Sequence, residues 1–413
     1  MKAELITIGD ELLIGQTVDT NASWIGEQLN QLGIDVNQIS SIRDDRQHIL
    51  DSLKLSITRS QLVILTGGLG PTNDDITKKT LCEYFNSNLI LNEAVLEKIT
   101  AYFQSRNLEL LQVNNDQAML PNNCTVLENS RGTASGMWFE KNEVVFISLP
   151  GVPYEMKGIF SDVIIPKLKG EYLASNVLNK TIKTQGIGES FLAELIKDWE
   201  QELIEDGLKL AYLPSPGIVK LRITAIGNRE NELRNLIEKY VQKLVGLIPN
   251  YIYGYDKDKL EQVVGELLAK KNASLSLAES CTGGNLAHMI TSVSGSSSYF
   301  IGSVVAYSNT IKADLLNVNS ELIHQYGAVS KQVVEQMALG VNLRFGTDYS
   351  IATSGVAGPN GGTEDKPVGT VWIAIAADEK VYSKRLTLGD NRERNILISS
   401  LSALNLLRLK LLE

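Results

Sequence analysis

Cysteine is scarce in this chain. Cys82, Cys124 and Cys281 are the only three in 413 residues, and none sits in a CxxC pair. A disulfide framework and a paired-cysteine zinc site are both excluded by that count and spacing. Histidine is as rare. His48, His288 and His324 carry no partner motif, which argues against a Ser-His-Asp triad. No apolar run approaches the roughly 20 residues that cross a bilayer. The start, Met1-Lys2-Ala3-Glu4-Leu5-Ile6, has no signal-peptide apolar region. Positive charge is in deficit, with 39 Lys and Arg against 48 Asp and Glu, a net charge of −9. Nucleic-acid backbones are held by clustered cations, so a broad nucleic-acid-binding face is not expected. A small nucleotide needs only a local nest of N–H groups and stays open. Together these absences predict a cytoplasmic protein with neither membrane nor nucleic acid as partner.

The rest of the composition is that of an ordinary globular chain, 43% hydrophobic and 21% charged. The length predicts two or three domains. Strands and helices alternate in the first segment. Leu5-Ile6-Thr7-Ile8, Val36 to Ile39, Leu62-Val63-Ile64-Leu65 and Val144-Val145-Phe146-Ile147 read as strands, and Ser23 to Leu32 has helical spacing. That alternation predicts a mostly parallel sheet, with ligands at the carboxyl ends of its strands. A middle segment carries a period-two strand, Val219 to Ala225, and an amphipathic helix, Asn231 to Leu247, which suit a small α+β module without a catalytic cluster. The last segment is α/β again. Its strands are Leu275-Ser276-Leu277, Val304 to Tyr307, Ser350 to Thr353 and Val371 to Ile375, and its last helix runs from Arg392 onward. The expected domains are 1–172, 173–252 and 253–413.

Two loops carry the chemistry, about 200 residues apart, which implies two sites on two domains. The first is Thr66-Gly67-Gly68-Leu69-Gly70-Pro71-Thr72-Asn73-Asp74-Asp75, near the turn Gly9-Asp10-Glu11. Its glycines let backbone N–H groups approach an anion. Thr72 can bond a phosphate or cap a helix. Asp10, Asp74 and Asp75 make sense beside phosphate if a divalent cation lies between. The plainer reading is that Asp75 caps a helix from Ile76 and the glycines only turn the chain.

The second loop is Ala278-Glu279-Ser280-Cys281-Thr282-Gly283-Gly284. Ser280 follows a strand and precedes a helix, a placement that surrounds a hydroxyl with N–H donors. A serine needs a base to become a nucleophile, and lysine is the available one. Tyr307 and Lys312 follow the Val304 strand and would face Ser280 if the two strands are neighbours. The plainer reading makes Ser280 a helix N-cap and Lys312 a solvated charge. Cys281 as nucleophile lacks an activating partner. Glu279 is either a ligand for a ribose hydroxyl or lysine, or a structural acceptor.

These residues resemble those of the CinA family, the competence/damage-inducible proteins. Ile8 through Gly15, Asp19-Thr20-Asn21, Thr66 through Asp75 with Thr77, Gly132-Thr133-Ala134 and Leu149 through Pro153 look like its molybdopterin-binding-like domain. Ala278 through Gly284, Gly302 through Tyr307, Tyr326 through Ser330, Gly355 through Pro359 and Lys366 through Gly369 look like its carboxy-terminal domain. The resemblance implies an α/β chain with a three-layer molybdopterin-binding-like domain, a small α+β bridge and an α/β CinA deamidase domain.

In function, it implies a bifunctional enzyme of pyridine nucleotide recycling. The last domain would convert nicotinamide mononucleotide and water to nicotinate mononucleotide and ammonia, without a cofactor. Ser280, Tyr307 and Lys312 would be its catalytic set. Glu279, Cys281, Thr282, Gly283, Gly284, Ser354, Gly355, Gly358 and an arginine would line its substrate; Arg394 matches the family arginine best, with Arg392 as alternate. The first domain would split ADP-ribose into AMP and ribose 5-phosphate with a divalent cation such as magnesium, aided by potassium. Gly9, Asp10, Glu11, Asn21, Thr66, Gly67, Gly68, Gly70, Pro71, Thr72, Asp74 and Asp75 would form that site. Asn115-Asp116-Gln117 departs from the pattern, because a basic residue is expected before Gln117. A homodimer is also implied. The rival readings are a non-catalytic nucleotide- or pterin-binding regulatory protein, and a deamidase whose first domain is structural.

Overall fold

A computed structural model describes residues 1–70, 75–172, 176–378 and 380–413, the Val113 side chain apart. The chain divides into two compact units. One is Met1–Leu178 with Ile226–Leu233, and the other is Asn179–Ala225 with Arg234–Glu413. Pro71, Thr72 and Asp74, all expected at the first site, lie outside the described residues.

The first unit contains strands β1 (Lys2–Ile8), β2 (Asp35–Ile42), β3 (Leu62–Thr66), β4 (Leu89–Leu91), β5 (Met119–Pro121), β6 (Thr125–Leu127), β7 (Gly136–Lys141) and β8 (Val144–Leu149). Six of them form one sheet in the order β2-β1-β3-β8-β7-β6. β2, β1, β3 and β8 run parallel, β7 runs against β8, and β6 against β7. The sheet is therefore mixed where strand–helix alternation predicted a mostly parallel one. The reversal is a two-residue hairpin at Asn142-Glu143, both with positive φ (53° and 63°), the backbone that tight hairpins require.

Side-chain alternation along the strands gives the sheet two buried faces. Leu5, Ile64 and Ile147 pack with Ile25 and Leu29 of helix Thr20–Gln31 and with Met156 and Ile159 of helix Pro153–Ile159. Ile6, Val63, Leu65 and Phe146 pack on the other side with Ile49 and Leu53, Leu81, and Val95 and Ile99, from three further helices. The result is three layers, and the carboxyl ends of β1, β3 and β8 share one edge.

The second unit holds two sheets. β9 (Asn176–Gln185), β10 (Lys209–Ser215), β11 (Ile218–Gly227) and β12 (Ile252–Tyr255) form one in the order β10-β11-β9-β12. The period-two burial along β11 is as the sequence predicts. β13 (Leu275–Glu279), β14 (Phe300–Val305), β15 (Tyr349–Gly355), β16 (Thr370–Ala377) and β17 (Lys380–Thr387) form the other, in the order β14-β13-β15-β16-β17. β13 is parallel to both β14 and β15, while β16 and β17 are antiparallel additions. The two faces of this sheet differ in residue size. One carries Leu275, Leu277, Ile351, Ile373 and Ile375. The other carries Ala278, Ala352, Ala374 and Ala376 beneath helix Lys331–Phe345.

Helix Arg392–Leu412 is 21 residues long and apolar enough to cross a membrane by length and composition, which the sequence reading did not anticipate. It is a core helix. Leu401, Ala403, Leu404, Leu407 and Leu411 pack into the second unit. Its buried Arg408 donates to the carbonyls of Ile252 (2.9 Å) and Asn250, and to Asn405 Oδ1 (2.8 Å).

Helix Asn309–Leu316 ends against Gly340 of helix Lys331–Phe345. A Cβ on Gly340 would lie 1.9 Å from the Leu316 carbonyl oxygen. This contact sets the position of the helix that carries Lys312. An alanine in a helix is ordinarily about 1 kcal/mol better than glycine. Here backbone must move, so Gly340→Ala should destabilise the protein by about 1–3 kcal/mol in urea unfolding. A neutral or stabilising effect would contradict this packing.

Candidate functional site

Ser280 follows β13 directly. Its N–H bonds the Thr353 carbonyl (3.0 Å), and its own carbonyl accepts from Gly283 N–H (3.1 Å), closing a tight turn. The helix after that turn begins at Asn285, with Gly284 at its cap. Ser280 is therefore not a helix N-cap. β14 lies beside β13, so the segment after β14 returns to the same edge. That strand ends at Val305, and Ala306 and Tyr307 lie in the following loop rather than in the strand.

Helix Asn309–Leu316, capped by Ser308 Oγ on Ile311 N–H (3.2 Å), then points Lys312 inward. Lys312 is 1% exposed and no surface charge. Its Nζ lies 3.0 Å from Ser280 Oγ, 2.7 Å from the Ala306 carbonyl oxygen and 3.3 Å from that of Tyr307. Burial lowers its pKa below the ordinary lysine value, because a dry site disfavours the charged form. The serine and lysine that the sequence singled out thus meet at hydrogen-bond distance.

The Tyr307 side chain is turned toward Arg392. Its ring is largely exposed, at 61%, and its hydroxyl accepts from Arg392 Nη2 at 3.2 Å. Arg392 also donates from Nη1 to the Gly358 carbonyl (2.9 Å). Arg394, the better match by spacing, is exposed on the first helical turn, where its backbone N–H is capped by Asn391 Oδ1 (2.9 Å). The structure thus brings Arg392, the alternate, to this loop cluster.

Glu279 takes the structural alternative. It is fully buried, and Oε2 accepts from Thr282 Oγ1 (2.7 Å), Gly284 N–H (3.0 Å) and Leu286 N–H (3.1 Å). Oε1 accepts from Ala287 N–H (2.9 Å) and, at 3.5 Å, from Ser303 Oγ. An internal carboxylate thus occupies the N-terminus of helix Asn285–Thr291. The N–H groups of Gly283 and Gly284, expected to face a ligand, are engaged inside the loop. Thr282 is likewise buried, bonded to Glu279 and to Thr353 Oγ1 (2.7 Å). Ser354 Oγ donates to the Ala328 carbonyl (2.7 Å) instead of facing a ligand. Gly355 and Gly358 are close-packed positions, where a Cβ would lie 2.6 Å from Val371 Cγ2 and 2.5 Å from Val368 Cγ1. Burial pushes the Cys281 thiol up to about 12, so it holds no thiolate near neutral pH. His48, His288 and His324 are all exposed. Sequence reading missed Asn395. It is buried and donates to the carbonyls of Ala357 (2.9 Å) and Gly389 (2.8 Å), joining the two loops beside Arg392. Its signal was the three-residue spacing from Arg392, one helical face.

In the first unit the glycine loop follows β3. Gly67 has φ 116°, and a Cβ there would lie 2.1 Å from the Ile8 carbonyl oxygen, so the loop runs against the end of β1. Thr66 Oγ1 donates to the Pro150 carbonyl (3.0 Å). Asn21 Nδ2 donates to the Gly151 carbonyl (2.8 Å) and to Thr66 Oγ1 (3.2 Å). Three of the family-like segments meet here. A pocket of about 120 Å³ opens among them, lined by Thr7, Glu11, Asp19, Asn21, Thr66 and Gly151 with neighbours. Asn21 Oδ1 is buried there with no donor among the described residues.

Asp75 does not cap the next helix, which starts at Thr77 after Ile76. Its Oδ1 accepts from Gly70 N–H (2.8 Å), and its carboxylate packs over Gly70. Gly68 is covered in the same way by Thr77. Asp10 and Glu11 are exposed after β1, and the Glu11 carboxylate folds back over Gly9. Among the described residues no three His, Cys, Asp or Glu side chains form a metal cage. Lys78 is part-buried, with its Nζ on the carbonyls of Gln117 (3.1 Å) and Met119 (3.3 Å), and burial lowers its pKa. It stands beside the position where a basic residue was expected.

Comparison with known proteins covers nearly the whole chain. Residues 4–170 match the family model described as "Probable molybdopterin binding domain", residues 179–254 the "Damage-inducible protein CinA KH domain", and residues 257–411 the "CinA C-terminal domain". A CinA-like protein of Cytophaga hutchinsonii is 51% identical over 411 residues, 100% of this chain and 98% of that protein. Another CinA-like protein, from Flavobacterium psychrophilum, is 51% identical over 398 residues, 96% of this chain and 95% of that one. The crystal structure of competence/damage inducible protein CihA from Agrobacterium tumefaciens is 35% identical and covers 37% of this chain and 94% of its own, with a TM-score of 0.36. The chain, with its molybdopterin-binding-like domain, KH-like module and carboxy-terminal CinA domain in succession, belongs to the CinA family.

Proposed function

We propose that the second unit hydrolyses the amide of nicotinamide mononucleotide. The observation that carries this reading is the Ser280–Lys312 pair, a hydroxyl 3.0 Å from a buried amine with no histidine beside it. With the amine neutral, two of its N–H bonds go to the Ala306 and Tyr307 carbonyls, and its lone pair faces Ser280. Lys312 Nζ then takes the Ser280 proton as Oγ bonds to the amide carbon. The N–H groups of Cys281 and Thr282 are the loop donors left for the oxyanion, since Gly283 and Gly284 are engaged elsewhere. Collapse breaks the C–N bond. Ammonia leaves with the proton from Lys312, and the acyl group stays on Ser280. Water then attacks the ester, Lys312 takes its proton, and nicotinate mononucleotide departs as Ser280 regains a hydrogen. Arg392 holds the Tyr307 hydroxyl and offers a cation for the substrate phosphate. Nucleophile and base are both side chains of this unit, so the reading asks for no cofactor.

The first unit is proposed to hydrolyse ADP-ribose to AMP and ribose 5-phosphate. The Gly67 N–H is engaged by the Leu149 carbonyl and the Gly70 N–H by Asp75, so the loop would meet an anion at Gly68, and the pocket at Asn21 supplies buried polar partners. Magnesium is commonly held by one or two carboxylates together with substrate phosphates. Asp75 on the loop and Asp10 at the adjoining strand end suit that mode, which needs no protein cage. Such an ion, when bound, neutralises diphosphate charge and acidifies a water. Asp75 has a further role visible without it, because its bond to Gly70 N–H shapes the loop.

Ammonia release from nicotinamide mononucleotide by the purified chain tests the first proposal. Release should persist in chelator and fall roughly 10³-fold or more in Ser280→Ala. No release by folded wild-type protein would favour the ligand-binding rival. In the same preparations AMP formation from ADP-ribose should stop with chelator or Asp75→Ala and survive Ser280→Ala. A chelator-resistant diphosphatase would refute the metal-bridged reading.

A further inference from the structure

Asn395 takes no part in the chemistry proposed for the second unit, yet it is 1% exposed and its amide nitrogen donates to two carbonyls. One is that of Ala357 (2.9 Å), in the loop between β15 and β16. The other is that of Gly389 (2.8 Å), in the loop between β17 and helix Arg392–Leu412. Arg392 lies three positions before Asn395, on the same helical face. Its Nη1 donates to the carbonyl of Gly358 (2.9 Å), the residue next to Ala357. Guanidinium and amide therefore grip adjacent carbonyls of one loop. The second bond of the amide ties down the segment that leads into Arg392.

The two loops meet backbone to backbone. A Cβ on Gly358 would lie 2.9 Å from the Asp390 carbonyl oxygen, and one on Gly369 would lie 2.3 Å from that of Leu388 and 2.5 Å from that of Gly389. Leu388 N–H bonds the Gly369 carbonyl (2.9 Å). Glycine at these positions sets how near the loops come. The directional bonds of Asn395 set how they are aligned.

The surroundings of Arg392 favour an anion. It stands in the first turn of a 21-residue helix, where the backbone dipole already presents positive potential and a second cation is disfavoured. Its two bonds go to a carbonyl and to the Tyr307 hydroxyl, neither of them charged. The Tyr307 carbonyl in turn accepts from Lys312 Nζ (3.3 Å), which bonds Ser280 (3.0 Å). Tyr307 thus joins Arg392 to the reacting pair. The Arg392 charge also acts on the Cys281 thiol, next to Ser280 in the chain.

We infer that Asn395 is a positioning residue: its bonds to Ala357 and Gly389 hold the Arg392 guanidinium where the substrate phosphate binds, and so set the preference for a nucleotide over the nucleoside that lacks the phosphate. The inference rests on the amidase reading of the second unit and deepens it by naming what holds its cation in place.

Asn395→Leu keeps a branched side chain of similar shape and removes both bonds. Asn395→Ser, which is smaller and loses the two-carbonyl grip, carries the test if Asn395→Leu does not fold. The experiment measures kcat/KM for nicotinamide mononucleotide and for nicotinamide riboside in wild-type protein, Asn395→Leu, Arg392→Gln and the double variant. Asn395→Leu should lower the preference for the nucleotide about tenfold or more, the loss expected when a charge-assisted bond is misplaced, and the loss should appear in KM. With Arg392→Gln already in place, Asn395→Leu should lower the preference no further, because it acts through the arginine. Equal losses on both substrates, or losses that add in the double variant, would overturn the inference and leave Asn395 a purely structural residue. An unchanged preference in either single variant would overturn it as well. If wild-type protein hydrolyses neither substrate, the amidase reading fails by itself. Calorimetry with nicotinamide mononucleotide then decides: affinity weakened by each single variant and no further by both supports the inference, and absent or unaltered affinity overturns it.

Discussion

The Lys312 amine lies in a dry site whose immediate partners are one hydroxyl and two carbonyls, none of them charged. A lysine held this way loses much of the hydration that stabilises its ammonium form, and its pKa falls. Much of the second unit follows from placing it there. An alanine-rich face of the sheet lies beneath helix Lys331–Phe345, and Gly340 lets the end of helix Asn309–Leu316 touch that helix. β13 and β14 are neighbours, so the two loops that carry Ser280 and Lys312 leave at one edge. The tight turn at Ser280 then presents its Oγ to the amine.

The two glycine-rich loops look alike as ligand cradles, and both use a carboxylate of their own to shape themselves. Glu279 occupies the N-terminus of the helix that follows Ser280, taking N–H groups that an anion would otherwise claim. That charge is stabilised by backbone dipoles, so a buried carboxylate is tolerated without a cation. Asp75 braces Gly70 in a similar way. In the reading proposed for the second unit, a substrate phosphate is met by a side chain such as Arg392. In the first unit the Gly67 N–H bonds the Leu149 carbonyl (3.1 Å) and the Gly70 N–H bonds Asp75 (2.8 Å), so that loop also spends backbone donors on its own shape.

Strand positions were legible where apolar runs are bounded by glycine, as at Leu62–Thr66, or alternate strictly, as along Ile218–Gly227. The antiparallel additions were not, because the hairpin at Asn142-Glu143 lacks the glycine that marks most tight turns. The apolar character of the last helix was hidden by its interspersed Arg, Asn and Ser residues. Ser280 and Lys312 were legible from their motifs, but their contact depends on two strands being neighbours. Local sequence does not encode that. The choice between the two readings of Glu279, and the inward bond of Ser354, have one physical reason: a polar residue beside a reactive serine has backbone groups to satisfy before it can serve a ligand. Arg392 and Arg394 differ by two positions on one helix, so helical phase alone decides which reaches Gly358.

The pH dependence of kcat/KM for amide hydrolysis tests most directly whether Lys312 is the base. A base must be neutral in the free enzyme, so the rate should rise with pH through the Lys312 pKa. Burial has lowered that pKa, and the rising limb should therefore lie below the ordinary lysine value of 10.5. It should vanish, with most of the activity, in Lys312→Ala. A limb at the ordinary lysine value, or near wild-type hydrolysis with the same limb in Lys312→Ala, would contradict a serine–lysine amidase.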